Sequence, residues 1–398
     1  MSKIVEINSV AFGSTGNIMM MAAEAARRRG HEVMTICPKS RSNQIAASKP
    51  DLMFGHILLR NIGSQLAYYT GYSGCFSLYD TKCLIKKIKR FNPDIIHLHN
   101  LHSEYINIPM LFDYIKKSHI RTVMTLHDCW AMTGGCAHFA LQKCDKWKTG
   151  CFDCRIYRDY PDSWKDNTRK MYSLKKKWFT GVGKLDIITP SYWLGNVVRD
   201  SYLGSYPIHV IHTGINLDVF KPTESDFRKR YGIEDKKIVL GVAFGWGYKK
   251  GLDVFQKLAE DLPRGYQIVL VGTDDNVDNQ LPSNVISIHR TENQQELSKI
   301  YTVADVFVNP TREEVLGLVN IEALACGTPV ITFRAGGSPE CVDKSCGIVV
   351  EIDGVDGMRD SIITICKDRP FSSESCQAFA KHFDQKYVFD QYVDIYEF

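Results

Sequence analysis

Short apolar runs rich in β-branched residues alternate with longer stretches of helical spacing from one end of the chain to the other. In the first half the runs fall at 3–7, 32–36, 95–98, 122–126, 187–189 and 208–211. In the second half they fall at 238–242, 267–271, 285–288, 306–309, 330–333 and 347–350. Between them, helical spacing predicts helices at 18–29, 252–260, 295–304 and 318–325. Strands alternating with helices predict βαβ units and parallel sheets, so two such series predict an α/β chain of two doubly wound, Rossmann-like domains. A polar stretch with Gly214 and Pro222 marks the boundary and gives domains over 1–212 and 213–382. A tail over 383–398 has helical spacing at Tyr387, Phe389, Tyr392, Val393 and Tyr396.

Composition narrows the class. A chain of 398 residues, 44% hydrophobic and 24% charged, is long enough for two cores and has neither a disordered nor a membrane-spanning composition. The N-terminus enters a strand directly and lacks a signal-peptide apolar region, which predicts a cytoplasmic protein. Thirteen cysteines are an odd number and argue against a disulfide framework. A net charge of +4 is too small to indicate nucleic acid as a partner. Basic runs at 86–90 and across 165–184, the latter with Trp164, Tyr172, Trp178 and Phe179, fit solvated helix faces. They also fit peripheral contact with an anionic membrane.

Candidate chemistry clusters at predicted strand ends. The turn Gly13-Ser14-Thr15-Gly16-Asn17 follows the first strand, where glycines allow close approach of a phosphate or sugar, although a plain turn fits as well. His97, His99, Asn100 and His102 follow the 95–98 strand, and His127 with Asp128 follows the 122–126 strand. Such positions favour ligand contact, with metal the alternative for the histidines, which have no evident carboxylate partner in sequence. Gly245, Lys249, Lys250 and Gly251 follow the 238–242 strand and suit a diphosphate. Glu314 and Glu322 stand eight positions apart around Gly317 and Leu318. Spanned wholly by helix, that separation is about 12 Å along the axis. Glu322 lies in an apolar stretch, where an unpaired carboxylate is costly. Cys136, Cys144, Cys151 and Cys154 form one C-x-x-C with two upstream thiols, either a structural Zn²⁺ site or simply reduced cysteines.

Taken together, the E-x(7)-E segment running on to Glu340, the Lys250-Gly251 pair and the Thr213-Gly214-Ile215-Asn216 linker resemble glycosyltransferase family four, a retaining group with the GT-B fold. The segments at 127–130 and 133–136 resemble its bacterial exopolysaccharide and colanic-acid-type members. The resemblance implies two domains with an interdomain cleft and a terminal helix crossing back to the first domain; the cysteine-rich stretch at about 129–160 lies outside that pattern, as an acceptor-side insertion. It implies transfer of a hexose from a nucleotide diphosphate sugar, UDP-linked by default and GDP-linked as the alternative. The acceptor it implies is a lipid-linked oligosaccharide of a capsule, exopolysaccharide or O-antigen, met at the inner face of the plasma membrane. Lys250 would then contact the diphosphate, Glu322 the ribose, Glu314 the sugar, with Gly16 against the phosphates and His127 near the sugar. His99, Asn100 and His102 would lie on the acceptor side. The family often carries an arginine shortly before the lysine; 242–246 has none, leaving that contact to Lys249 or another cation. No Asp-x-Asp motif is present, and no cofactor is expected beyond the donor itself. A GT-B epimerase or phosphorylase, or a non-catalytic nucleotide-sugar-binding partner, remain the other readings.

Overall fold

A computed structural model describes residues 1–397. The apolar runs form β1 (Lys3–Ile7), β2 (Glu32–Pro38), β3 (Leu52–Phe54), β4 (Ile95–Leu98), β5 (Arg121–Thr125), β6 (Leu185–Thr189) and β7 (Ile208–Val210). All pair in parallel, in the order β3-β2-β1-β4-β5-β6-β7. A second parallel sheet, β10-β9-β8-β11-β12-β13, contains β8 (Lys237–Val242), β9 (Tyr266–Val271), β10 (Val285–Ile288), β11 (Val306–Asn309), β12 (Val330–Phe333) and β13 (Gly347–Val350). Central strands such as β4 and β11 are buried along their whole length, as strands covered by helices on both faces must be. The chain is therefore α/β, with two doubly wound sheets.

The chain divides into two units, Met1–His212 with the residues from Phe389 on, and Thr213–Val388. The last helix, Gln385–Glu397, starts in the second unit, where Gln385 N–H donates to the Ile215 carbonyl at 3.0 Å and Lys386 pairs with Asp218 at 2.9 Å. Its later residues belong to the first unit and pair there with a basic helix end: Arg28 with Asp390 at 3.0 Å and Arg29 with Asp394 at 2.6 Å. The short strand β3 lies outside the sequence expectation because three residues carry too little periodicity to register.

One helix differs in detail from the sequence reading. The first helix is Gly13–Arg28, so the glycine turn is its opening turn rather than a loop ahead of it. The helix within the E-x(7)-E segment is Leu318–Ala325, with the bounds expected, and it leaves Glu314 in the preceding loop, so the pair is not spanned wholly by helix. Gly317 has φ +98°, a left-handed conformation that ends helical geometry on its N-terminal side.

Candidate functional site

In the second unit the winding reverses between β8 and β11, and doubly wound sheets hold ligands beyond strand ends at such a switch. Two loops leave that point, one with Gly245 to Gly251 and one with Thr311 to Gly317. They are joined by Arg312, whose N–H donates to the Lys249 carbonyl at 2.9 Å. The Arg312 guanidinium is buried, donates to Asp253 and Asp353 at 2.7 Å each, and lies 3.8 Å over the Tyr248 ring. Arg312 thus cross-links loops and is not free for a phosphate. The cations at the mouth are Lys250, paired with Glu314 at 2.7 Å, and Lys249, paired with buried Glu313 at 2.5 Å.

Glu314 is fixed from several sides. Its Oε1 accepts from the Val315 N–H at 3.2 Å while Oε2 holds Lys250. A Cβ on Gly336 would lie 1.7 Å from the Glu314 carbonyl oxygen, so only glycine lets that loop rest there. Gly317 marks the floor of the site: a Cβ there would lie 3.1 Å from Asn320 Nδ2, 3.3 Å from Ser338 Oγ and 3.6 Å from Glu314 Cγ. Asn320 Nδ2 and Ser338 Oγ are buried with no protein partner. Unpaired buried polar atoms are costly, and here they surround a glycine just before a helix start, where the leading amides have no partner one turn back. The set suits an anionic, hydroxyl-rich ligand.

Glu322 lies one helix turn further in. Burial raises its carboxyl to about 7, against the lowering effect of the Tyr301 hydroxyl, which donates to Oε2 at 3.0 Å. Gly245 is exposed with φ +76° and open space around its α-carbon.

The first unit's sheet reverses between β1 and β4. His127 stands half-buried beyond β5, and its Nε2 meets His99 Nδ1 at 3.2 Å. His99 is buried and continues inward to Glu6, its Nε2 3.1 Å from Oε2. It therefore backs His127 rather than presenting itself to a ligand. Asn100 donates its N–H to Asn8 Oδ1 at 3.2 Å. His102 pairs with Asp128 at 2.9 Å and also lines a cavity of about 180 Å³ with Ser73, Glu104, Tyr157 and Tyr160. The close approach permitted by Gly16 is to the chain itself, since a Cβ would lie 2.6 Å from the Ala11 carbonyl carbon. Sequence reasoning missed Glu6, which interrupts an apolar strand as Glu322 interrupts an apolar helix; the same cue would have found it.

Three donor atoms from Glu6, His97 and His99 lie within 4.8 Å of one another, the carboxylate that sequence alone did not supply. Both ring nitrogens of His97 are already engaged, Nδ1 with Tyr396 at 2.6 Å and Nε2 with Thr125 at 2.8 Å. The arrangement is an internal hydrogen-bonded network. Of the two expectations for the four cysteines, the Zn²⁺ site gains no support from their spacing in the fold. A tetrahedron with 2.3 Å bonds brings thiolates to roughly 3.8 Å of each other. Among the described residues, Glu6–His97–His99 and Asp275–Asp278–His289 are the groups that gather within 4.8 Å, and no set of the cysteines does. Cys136, Cys144, Cys151 and Cys154 instead line a cavity of about 250 Å³. Burial pushes the Cys136 thiol up to about 12 and Cys151 to about 11, which keeps both protonated.

The basic segment 165–184 is partly turned into the fold. Its helix, Thr168–Phe179, turns Tyr172, Lys175, Trp178 and Phe179 inward. Lys175 is fully buried, donates to the Trp130 carbonyl at 2.8 Å and is lowered to about 7 by burial. Among the described residues no helix is long and apolar enough to cross a membrane.

Comparison with known proteins agrees with this layout. The family model described as Glycosyltransferase Family 4 matches residues 15–219, over half the chain, and that described as Glycosyl transferases group 1 matches 236–368. The chain is similar to the WcaC protein of Escherichia coli (strain K12), named for glycosyl transfer in colanic acid biosynthesis. They share 27% identity over 66% of this chain and 65% of WcaC, so the match spans just under two thirds of that relative. Among solved structures, sucrose-phosphate synthase from Thermosynechococcus elongatus superimposes with a TM-score of 0.71 at 18% identity, covering 100% of this chain and 98% of that one. Anabaena Alr3699/HepE, solved in complex with UDP and glucose, gives 0.68 at 16% identity and 100% coverage of both chains. At such identities the likeness shows the fold, which is the GT-B arrangement of two parallel-sheet domains.

Proposed function

Because the chain belongs to glycosyltransferase family 4, we propose that it is a retaining, metal-independent hexosyltransferase. It takes its sugar from a nucleotide diphosphate donor, UDP-linked by preference and GDP-linked otherwise. It passes that sugar to a lipid-linked glycan in bacterial surface-polysaccharide synthesis. The observation that carries this reading is the ring of Lys250, Glu314, Asn320 and Ser338 around Gly317, with Glu322 one turn deeper. WcaC's name supports the pathway class, and the UDP and glucose of the HepE structure support the donor class.

In this reading the diphosphate takes Lys250 and the amides opening the helix at Leu318. Glu314, released from Lys250, accepts from the sugar hydroxyls, and Glu322 accepts from the ribose. The acceptor hydroxyl oxygen bonds to the sugar's anomeric carbon on the face from which the phosphate leaves. The bond to phosphate breaks with its electrons going to the nucleoside diphosphate, and the hydroxyl proton passes to a phosphate oxygen. Lys250 offsets the charge that grows there, so no protein carboxylate need act as base. The cavity beside His102, lined by Tyr157 and Tyr160, is the acceptor side.

The helix Ile57–Thr70 supports contact with an anionic membrane at the inner leaflet. It buries only Gly63 and Ala67 and exposes Leu58, Leu59, Ile62 and Leu66. The helix Leu78–Phe91, tied to it where His56 N–H donates to Asp80 at 2.9 Å, exposes Lys82, Lys86, Lys87 and Lys89. Apolar and basic surface side by side match an anionic bilayer. Sedimentation with phosphatidylglycerol vesicles, lost in Leu58→Glu/Ile62→Glu, tests this; self-association without vesicle binding would refute it.

The activity is tested by nucleoside diphosphate release from a panel of nucleotide sugars with glycolipid acceptors. Turnover of one donor, abolished in Glu322→Ala and Lys250→Ala, is expected. Wild-type transfer in both variants overturns the site assignment, and donor binding without turnover across the panel overturns the enzyme reading.

A further inference from the structure

The first unit contains a chain of polar groups that the transfer chemistry above does not use. It starts at the surface with His127 and runs through His99 to Glu6, which is fully buried in the middle of β1. Beyond Glu6, the Tyr396 hydroxyl donates to Oε1 at 3.2 Å, His97 Nδ1 meets that hydroxyl at 2.6 Å, and His97 Nε2 meets Thr125 at 2.8 Å. The register of the sheet enforces the contact, since Glu6 and His97 are direct neighbours across β1 and β4.

Each link has one proton to share, so the direction of the whole chain is set at its inner end. With Glu6 neutral, its O–H donates to His99 Nε2, His99 Nδ1–H donates to His127 Nε2, and His127 must carry its remaining proton on Nδ1. With Glu6 ionised, every link reverses: His99 Nε2–H donates to the carboxylate, His127 Nε2–H donates to His99 Nδ1, and His127 Nδ1 is left as a lone pair. The change releases one proton, from His127 Nδ1, while each of the two inner protons crosses its own hydrogen bond outward, from Glu6 to His99 and from His99 to His127. We propose that Glu6 is a positioning residue that, through His99, decides whether His127 Nδ1 offers a ligand hydroxyl a proton or a lone pair.

The surroundings favour a switch at mildly alkaline pH. Burial raises the Glu6 carboxyl to about 8, while the Tyr396 hydrogen bond and the charge of Arg27 lower it. His97 lies 3.9 Å from the same carboxylate, and burial holds His97 and His99 below their ordinary range, so both stay neutral throughout. At the outer end His127 faces Asp128 and His102 as well as His99. Tyr392 also approaches from the last helix, 6.1 Å from the His97 ring. Below the switch the N–H of His127 donates to a ligand hydroxyl; above it the lone pair accepts from that hydroxyl.

The tautomer can be read without any substrate, from the ¹⁵N shift of His127 Nδ1 against pH. The wild type should pass from protonated to lone-pair Nδ1 with a midpoint near 8, and Glu6→Gln, fixed in the neutral pattern, should show no transition. Tyr396→Phe removes a bond that stabilises the carboxylate and should move the midpoint upward. His99→Gln should uncouple His127 while leaving Glu6 in place. The kinetic arm rests on the glycosyl-transfer reading: the rate should gain a limb near pH 8 that Glu6→Gln lacks. A His127 transition unchanged in Glu6→Gln and Tyr396→Phe overturns the proposal, whatever the activity. A rate lowered equally at every pH in Glu6→Gln, with the tautomer transition intact, likewise reduces Glu6 to a structural role.

Discussion

Tyr301→Phe should shift the pH at which the protein begins to bind a nucleoside diphosphate well. Glu322 titrates at about 7 because burial raises it, and the Tyr301 hydroxyl, 3.0 Å from Oε2, holds it down. A hydrogen bond to an ionised group contributes about 1.5–3 kcal/mol, and one pKa unit is about 1.36 kcal/mol, so losing the hydroxyl raises Glu322 by about 1–2 units. Two ribose hydroxyls donate better to a carboxylate than to a carboxyl, so affinity follows the ionised fraction. At pH 7 that fraction falls from about a half to between roughly a tenth and a hundredth, which weakens Kd for UDP by about 5–50-fold. The sign is fixed: affinity rises with pH in both proteins, and the variant reaches wild-type affinity only about 1–2 pH units later. Calorimetric titration of UDP from pH 6 to 9 reads both curves, and a deoxyribose analogue, lacking a hydroxyl partner, should flatten them. The aromatic ring remains in place in the variant, so the buried packing around residue 301 is kept. Curves that superimpose, or a wild-type Kd independent of pH, would refute the assignment of Glu322 to the ribose.

Gly336→Ala places a methyl 1.7 Å from the Glu314 carbonyl oxygen on a backbone at φ +55°; a left-handed residue alone costs about 1–2 kcal/mol, so Tm should fall and UDP affinity should drop at least tenfold. Lys250→Met leaves the Glu314 carboxylate without its cation and the leaving group without an offset; transfer should fall by about 100–1000-fold while the melting curve moves little. Glu6 has its folded pKa raised from 4.5 to about 8. Stability is therefore fully present below about 4.5 and is lost as pH rises towards 8, by on the order of 5 kcal/mol in denaturant titrations, and Glu6→Gln should remove that slope.

The parallel sheets were legible because strands buried on both faces read as unbroken apolar runs, and helices covering them read at helical spacing. The residues proposed for the donor side stood out for a similar reason: Lys250, Glu314 and Gly317 cluster in loops that follow such runs directly. What escaped the sequence needed distance information. Nothing along the chain places Tyr396 beside Glu6, since the two are 390 positions apart. Asn320 and Ser338 look like ordinary helix and loop residues until both are found unpaired around one glycine. The cysteines stayed open in the sequence, where nearness fitted four ligands or plain thiols, and folding lines one cavity with all four.

The donor-side charges bear on how such a site tells a nucleotide sugar from a bare nucleotide. Lys249 and Lys250 are each neutralised by their own glutamate, and Arg312 is held by two aspartates. The loops therefore present little net positive charge to an incoming diphosphate, and attraction must come from the open amides of the helix at Leu318. When a phosphate takes Lys250, the Glu314 carboxylate loses its partner a few ångströms from a second anion. A bare nucleoside diphosphate leaves that repulsion standing. A donor carrying a sugar supplies hydroxyls to Glu314 at that moment, so each half of the donor removes the penalty the other half creates. On the proposed assignment of Lys250 to the phosphates and Glu314 to the sugar, the ion pair makes the two halves of the donor bind together or bind weakly.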